Sequence, residues 1–595
     1  MLLLLGFMLA LPLMAKPAEL TVRSLTDPIR VQLCRGAEVA LEIEGATSTE
    51  GRRAADLAMR ADSRLRVTTR EDRALVWSGD DLLAEISQQQ SARWGTTPYS
   101  LARTFASRLE AARSGKTPPP PALEPTRLTV PLGETRPARW LNQSGTPKVT
   151  VSDPSVAAVF LTGNEVRVTG TSRGEATITL SWDQTTLNLP VVVRPWAARL
   201  PNALEVPISG DMPRQEALRR VLLSRAWPHP AARMEMTFPK SPPTNPEAPV
   251  PVEIQASGPG LLTAQAKVQV RFKAAPIQIY QAGALVMSNR PEKILAEGTL
   301  LHQALPAAPV RLLIHHYNLP QGPERFLEVL LRNPSDAPAR VFLALEGVGP
   351  SADEIFAGHL ATRRFLERMG DQQGVTLQLG AGETVLVERL RMKPGQTVSA
   401  MGWLQPLREV ELDLTVRAVD GQGQAPDQDL APAGTGPFST GRGLFPAEVH
   451  ASYAHDLGSR YGFIPLGDAP FTQDPLTGEL NPGNFGVVYR LRLILRNPTS
   501  EAREARLFFR PRGGPARGHF FVDGAFAETD NATSSSPYLL GRWSLAPEET
   551  REVFLETFPQ SGSNYPVTLE VQSDFVNLPS APQPDSIPLS PRWMP

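Results

Sequence analysis

The stretch VVYRLRLILRNP (residues 487–498) decides how this chain is read. Val487, Tyr489, Leu491, Leu493 and Leu495 fall on one side of a two-residue period, and Arg490, Arg492 and Arg496, with Ile494 among them, fall on the other. That pattern predicts a strand with one face in a core and one face in water. Its last four residues, Leu-Arg-Asn-Pro, occur again at residues 331–334, behind Leu327, Val329 and Leu331. Proline fixes φ and lacks an N–H, so Pro334 and Pro498 suit the second position of a turn and hold the preceding residue extended. Asn333 and Asn497 can each accept a backbone N–H two residues on, closing an Asx-turn. Each copy therefore ends a strand and launches a loop. Beyond the turns, Val341, Leu343 and Leu345 alternate as Leu507 and Phe509 do. GVGP…GH at 347–359 parallels RGGP…GH at 512–519, and GAGETVLVERL (380–390) parallels APEETREVFLE (546–556). The spacing predicts a duplicated domain, an immunoglobulin-like sandwich at 276–420 and again at 444–580.

Composition agrees with a mainly β, multidomain protein. The 595 residues call for about four domains at roughly 150 residues each. The 59 prolines are about twice the usual share and favour turns and edge strands over helix interiors. Sixty basic against 61 acidic residues leave no electrostatic footprint for nucleic acid or an anionic membrane. The apolar run from Leu2 to Ala15 is too short to span a bilayer and fits the core of a secretory signal, here residues 1–15, although a basic segment before it is missing. No later segment is long and apolar enough to cross. Cys34 is the only cysteine, which excludes an intrachain disulfide; it reads as a buried, unreactive thiol near a strand end.

Four more segments complete the division. Residues 36–113 read as a small α+β domain: an alternating strand at Val39, Leu41 and Ile43, a helix through Ala54, Leu57, Ala58, Ala61 and Leu65, a hairpin turning near Gly79, and a closing helix with Leu101, Phe105 and Leu109 in line. KTPPPPALEP (116–125) reads as a stiff linker. Residues 126–196 alternate in the manner of a sandwich, with turns at Asp153-Pro154-Ser155 and Gly163-Asn164. Residues 197–275 read as a separate small α+β or β domain, with a helix over 213–225 and a hairpin turning at Gly258-Pro259-Gly260. Residues 421–443 have linker composition, and 581–595 form a tail.

Two segments carry family resemblances. The ending GTTPYSLARTFASRL, with the order of elements before it, resembles an extracytoplasmic domain at the front of some bacterial mechanosensitive-channel-like proteins. No channel segment follows, so gating is not implied. The pattern VSDPSVA…NEVRVTG…GEATITL resembles a bacterial immunoglobulin-like domain and the N-terminal domain of pilus-assembly secretins. That likeness implies the module and brings no catalytic residues with it.

Chemistry is sparse in the sequence. HExxH, CxxC pairing, an EF-hand loop and GxSxG are all absent, so no metal, cofactor or catalytic residue is expected. GTGPFSTGRG (434–443) lacks the ending of a phosphate loop. His315 and His316 are adjacent in a predicted strand, so they point to opposite faces and do not share an ion. His359 and His519 both follow glycine at matching places in the duplicate and are the candidate ligand contacts. DEIFAGHLATRRFLERM (353–369) predicts a helix whose Ile355, Phe356, Leu360, Phe365, Leu366 and Met369 cover the sandwich, with Arg363, Arg364 and Arg368 in solvent. Trp403, Tyr461, Phe463 and Trp543 are assigned to core packing ahead of a carbohydrate site. The resulting expectation is an exported, extracytoplasmic, non-catalytic binding or structural module of the periplasm or cell surface. Its expected partners are other envelope or surface proteins, or a polysaccharide, in a pilus or secretion assembly. The alternative is an extracytoplasmic carbohydrate-active hydrolase with its site at a domain junction.

Overall fold

The computed structural model describes residues 20–574, apart from 27–28, 36–37, 61–63, 95, 116–120, 144–145, 183–184, 242–244, 246–247, 291, 422–441 and 460. Residues 1–15, read above as a secretory signal, the tail 581–595, the proline run 116–120 and most of the segment 421–443 lie outside the described residues. Two compact units are present: residues up to Trp196 together with Gly260–Leu262, and the remainder.

In the first unit, residues 20–115 form two three-stranded antiparallel sheets and three helices, α1 (Ser48–Ala58), α2 (Gln88–Arg93) and α3 (Pro98–Arg113). Thr47 caps α1 by a reciprocal capping box with Glu50, and Thr97 caps α3 with Pro98 in its first turn. Leu101, Phe105 and Leu109 are fully buried, as their spacing requires. The strands Thr21–Thr26, Ile29–Arg35 and Leu65–Arg70 extend the simpler strand order read from sequence. Leu65 opens the last of them and is not part of a helix. Cys34 lies buried on the second strand; burial pushes its thiol up, partly opposed by the Arg23 charge.

Residues 122–194 form an immunoglobulin-like sandwich of two four-stranded sheets. Trp140, Val166, Val168, Ile178, Leu180, Leu189 and Val191 fill the space between them. Its edge strand Ala122–Glu124 pairs with Thr135–Leu141, which corrects the linker reading of 116–125: Leu123 is apolar and buried, so the proline run stops short of it.

The second unit contains tandem sandwiches. In the first, the sheet Gly298–Leu305, Leu412–Asp420, Arg325–Arg332, Thr384–Met392 is one layer. The other layer includes Gly374–Leu379, Ala339–Ser351, Gln396–Pro406, Val310–Asn318 and Ala284–Ser288. In the second, Glu448–Asp456, Val488–Arg496, Thr550–Thr557, His519–Val522 and Ala525–Glu528 form one sheet. Gly462–Leu466, Val567–Gln572, Arg503–Pro511 and Tyr538–Leu545 form the other.

Two boundaries shift. Residues 197–275 do not build a sheet of their own: Ala203–Ser209 pairs with Gly374–Leu379 and carries Val250–Ser257 and Ala264–Ala274 into the same layer. Helix α4 (Arg214–Ala226) accompanies them. The strand Arg442–Phe445, at the end of the linker reading, pairs with Ala284–Ser288 of the first sandwich. Both shifts have one cause: a sheet edge with unpaired N–H and C=O groups is filled by whatever chain lies beside it.

The two LRNP turns match bond for bond. Asn333 Nδ2 donates to Ala337 O (2.7 Å) and Gly380 O (2.9 Å), and Asn497 Nδ2 to Glu501 O (2.7 Å) and Ala546 O (2.9 Å). Each Oδ1 accepts from the backbone N–H and hydroxyl two residues on, Ser335 in one copy and Thr499 in the other. Each asparagine N–H reaches the glutamate of the Glu-Thr step, Glu383 or Glu549.

Candidate functional site at the joint between the sandwiches

Helix α5 (Glu354–Gly370) fills the connection between Ala339–Ser351 and Gly374–Leu379. Asp353 caps it, its side chain accepting from Phe356 N. Phe365, Leu366 and Met369 are buried as predicted, Ile355 and Leu360 are half-buried, and Phe356 is 43% exposed, while Ala357 and Ala361 add to the buried face. Arg368 is not in solvent either; it is paired with Glu216 and Glu346. In the second sandwich the corresponding connection, from Arg503–Pro511 to Tyr538–Leu545, holds the hairpin His519–Val522/Ala525–Glu528.

His359 and His519 thus do not occupy equivalent elements, because one lies on a helix and the other opens a strand. They meet each other instead. Their rings stack at 4.2 Å between centroids and 12° between planes. Glu528, opposite His519 in the hairpin, accepts from His359 Nε2 at 2.7 Å and from Arg363 at 2.9 Å. Gln560 joins both rings: its Oε1 lies 3.0 Å from His359 Nδ1 and its Nε2 lies 2.5 Å from His519 Nδ1. With that amide orientation His519 carries its proton on Nε2. His359 faces two acceptors, Gln560 Oε1 and Glu528 Oε1. Burial, then the charges of His359, Arg363 and Arg517, hold the His519 ring down to about 2. Phe526 covers its other face.

The helix reaches this position because residue 358 is glycine. A Cβ there would stand 1.8 Å from Ser561 O, and a Cβ at Gly562 (φ +78°) would stand 2.2 Å from Glu354 O. The two backbones cross in direct contact. Ser399 and Ser561 hydroxyls bond at 2.8 Å, and buried Arg311 donates to Ala447 O and Gly486 O, both at 3.0 Å. One apolar cluster runs through the joint, including Phe342, Phe365 and Trp403 from the first sandwich and Phe485, Val487 and Phe558 from the second. Histidine side chains only 5% and 0% exposed, under such cover, are closed to a substrate. The group is a polar lock, and sequence reasoning missed Glu528 and Gln560 because their partners lie up to about 200 residues away.

The remaining sequence candidates separate. Trp403 and Trp543 are core residues, whereas Tyr461 and Phe463 are 51% and 62% exposed. His316 bonds Ser288 Oγ on the face opposite His315. Beside α4, a cleft of about 860 Å³ is lined by Glu216, Arg219, Arg220, Glu346, Glu388 and Arg389, among others. In it burial pushes the Glu388 carboxyl up; Glu216 is desolvated too, but Arg368 and Arg220 hold it below the usual carboxylate range.

No family model and no curated protein matches this chain. Among solved structures, domains 5–6 of the S-layer protein SbsC align over 30% of this chain and 77% of theirs, at 14% identity and a TM-score of 0.13. Extracellular domains 3–5 of Drosophila OTK align over 25% and 61%, at 12% identity and 0.15. An endo-fucoidan hydrolase of glycoside hydrolase family 107 aligns over 34% and 37%, at 12% identity and 0.13. Scores this low carry no argument, and the immunoglobulin-like reading rests on the chain's own sheets.

Proposed function

We propose that this chain is an exported, non-catalytic module of the bacterial envelope, in which two sandwiches joined at fixed geometry hold binding surfaces apart. The observation that carries the proposal is the joint. Crossing backbones, a shared apolar cluster and a buried histidine–glutamate lock make a spacer rather than a hinge. The apolar run at 2–15 supports export, and no described helix is long and apolar enough to cross a membrane. The finer reading, an accessory to a pilus or secretion assembly, draws on the resemblance of residues 126–196 alone. In the native host, intact mass should give a mature protein beginning near Lys16, recovered from the envelope fraction. A full-length cytoplasmic product would overturn the proposal.

The cleft beside α4 favours a second reading. One carboxyl raised by burial (Glu388) and one held ionised (Glu216) are the two states a carbohydrate-active hydrolase uses. Release of reducing ends from a polysaccharide panel, lost in Glu388→Gln, would establish that reading in place of the first.

A further inference from the structure

Two groups of three potential metal ligands occur among the described residues: His359, His519 and Glu528, and Glu292, His315 and Glu354. The first cannot hold an ion as it stands. A metal lies in the plane of each imidazole that binds it, and two rings stacked at 4.2 Å and 12° have no common in-plane point. Glu528 is moreover engaged by Arg363 and His359.

The second group differs on each count. His315 is 2% exposed on the strand Val310–Asn318, and its Nδ1 is buried with no hydrogen-bond partner. A buried polar atom left unmade is costly, and in native proteins such atoms mark an ion, a water or a functional role. Glu292, just before the short strand Lys293–Ile294, and Glu354, the first residue of α5, converge on the His315 ring. One donor atom from each of the three residues lies within 4.8 Å of the others. The carboxylates also press on each other: burial first and the Glu354 charge second push Glu292 up, with Lys293 only partly opposing. Like charges brought together beside an unpartnered imidazole are what a cation would reconcile.

We propose that Glu292, His315 and Glu354 form a binding site for a single divalent first-row transition-metal ion, with water completing its coordination. One imidazole and two carboxylates suit Zn²⁺ or Mn²⁺ and disfavour Ca²⁺, whose ligands are all oxygen. Ligands about 2.1 Å from one ion lie about 3.3 Å apart, so small side-chain rotations of two half-buried glutamates close the set. The backbone of Glu354 is the one crossed by Gly562, so the bound ion would sit beside the joint.

The test uses the full chain, stripped with chelator and titrated calorimetrically with Zn²⁺, Mn²⁺ and Ca²⁺. One equivalent of Zn²⁺ should bind, more tightly than Mn²⁺, and Glu292→Gln, Glu354→Gln and His315→Gln should each weaken it at least about 100-fold. His359→Gln should leave it intact. The two Glu→Gln variants guard against misfolding, since each removes repulsion with almost no change in volume. Without metal their melting temperatures should equal or exceed that of the parent, and with Zn²⁺ the parent should overtake them. The proposal fails if neither Zn²⁺ nor Mn²⁺ binds up to about 100 µM, if binding survives in the Glu292 and Glu354 variants, if Ca²⁺ alone binds, or if His359→Gln abolishes the site.

Discussion

Asn333 offers the sharpest test of the duplicated frame. Its sequence role, closing one Asx-turn, would be worth about 0.5–1.5 kcal/mol. The structure gives it more. The side chain is fully buried and joins its own loop to the end of the strand Gly374–Leu379. Nδ2 has two hydrogens and faces three carbonyls, so two bonds are made there, and Oδ1 accepts two more from Ser335. Asn333→Ala deletes all four. Ala337 is exposed and Ser335 half-buried, so water recovers part of the loss. A cost of about 2–3 kcal/mol follows, with buried Leu379 O and half-buried Gly380 O carrying most of it. Asn333→Asp separates the two halves. It keeps the acceptors for Ser335 but turns a carboxylate toward carbonyl oxygens, so it should be worse than alanine. Urea unfolding of the full chain, with hydrogen exchange at Ser335 and Gly382 as the local readout, should rank asparagine above alanine above aspartate. The Asn497 series should repeat that order and size. Aspartate as stable as asparagine would mean the donor bonds are not made. Equal ranking at only one of the two sites would refute the shared frame.

Other consequences concern the joint. Helix propensity alone makes Gly358→Ala a gain of about 1 kcal/mol. The 1.8 Å approach to Ser561 O reverses the sign, because the two nearest atoms are backbone, so a net loss of about 1–3 kcal/mol should appear in thermal unfolding. Acid should weaken the lock. The folded His519 pKa, about 2, lies below its unfolded value of about 6.5, so the unfolded chain binds more protons between them and stability falls as pH drops below 6.5. From pH 7 to 5 that amounts to roughly 2 kcal/mol, with His359, Glu528, Arg363 and Arg517 facing the ring throughout. His519→Gln should flatten this part of a stability–pH profile, and an unchanged slope would show that the ring is not held neutral.

What was legible in the sequence is what local pattern controls. The alternation in residues 487–498, the Asn-Pro turns and the apolar stripe of α3 each depend on neighbours within a few residues. Arg490 marks the limit. Its position on the outer face was readable, but its burial was not, since Glu448 and Glu556 close over it from neighbouring strands. The glycine-histidine steps stand out in the sequence as repeats, whereas in the structure the two unlike insertions that carry them touch each other. Glu292 and Glu354 carried no signal, and His315 was read only against its neighbour His316; two strands, Arg325–Arg332 and Ala339–Ser351, lie between His315 and Glu354 in the chain.

The unlike insertions also explain why the joint has a direction. A repeated domain joined through equivalent surfaces could pass the same contact from copy to copy. Here the first copy contributes a helix and the second a hairpin, so the contact is heterologous. The surface that receives α5 is made by Gln560, Ser561 and Glu528, and the second copy has no helix in the matching connection to offer outward. The frame of strands and Asn-Pro turns could therefore stay alike in both copies while the connections diverged. These unlike connections make two similar sandwiches into a lock with two different halves, and they place the only stacked histidine pair among the described residues at the point where they close.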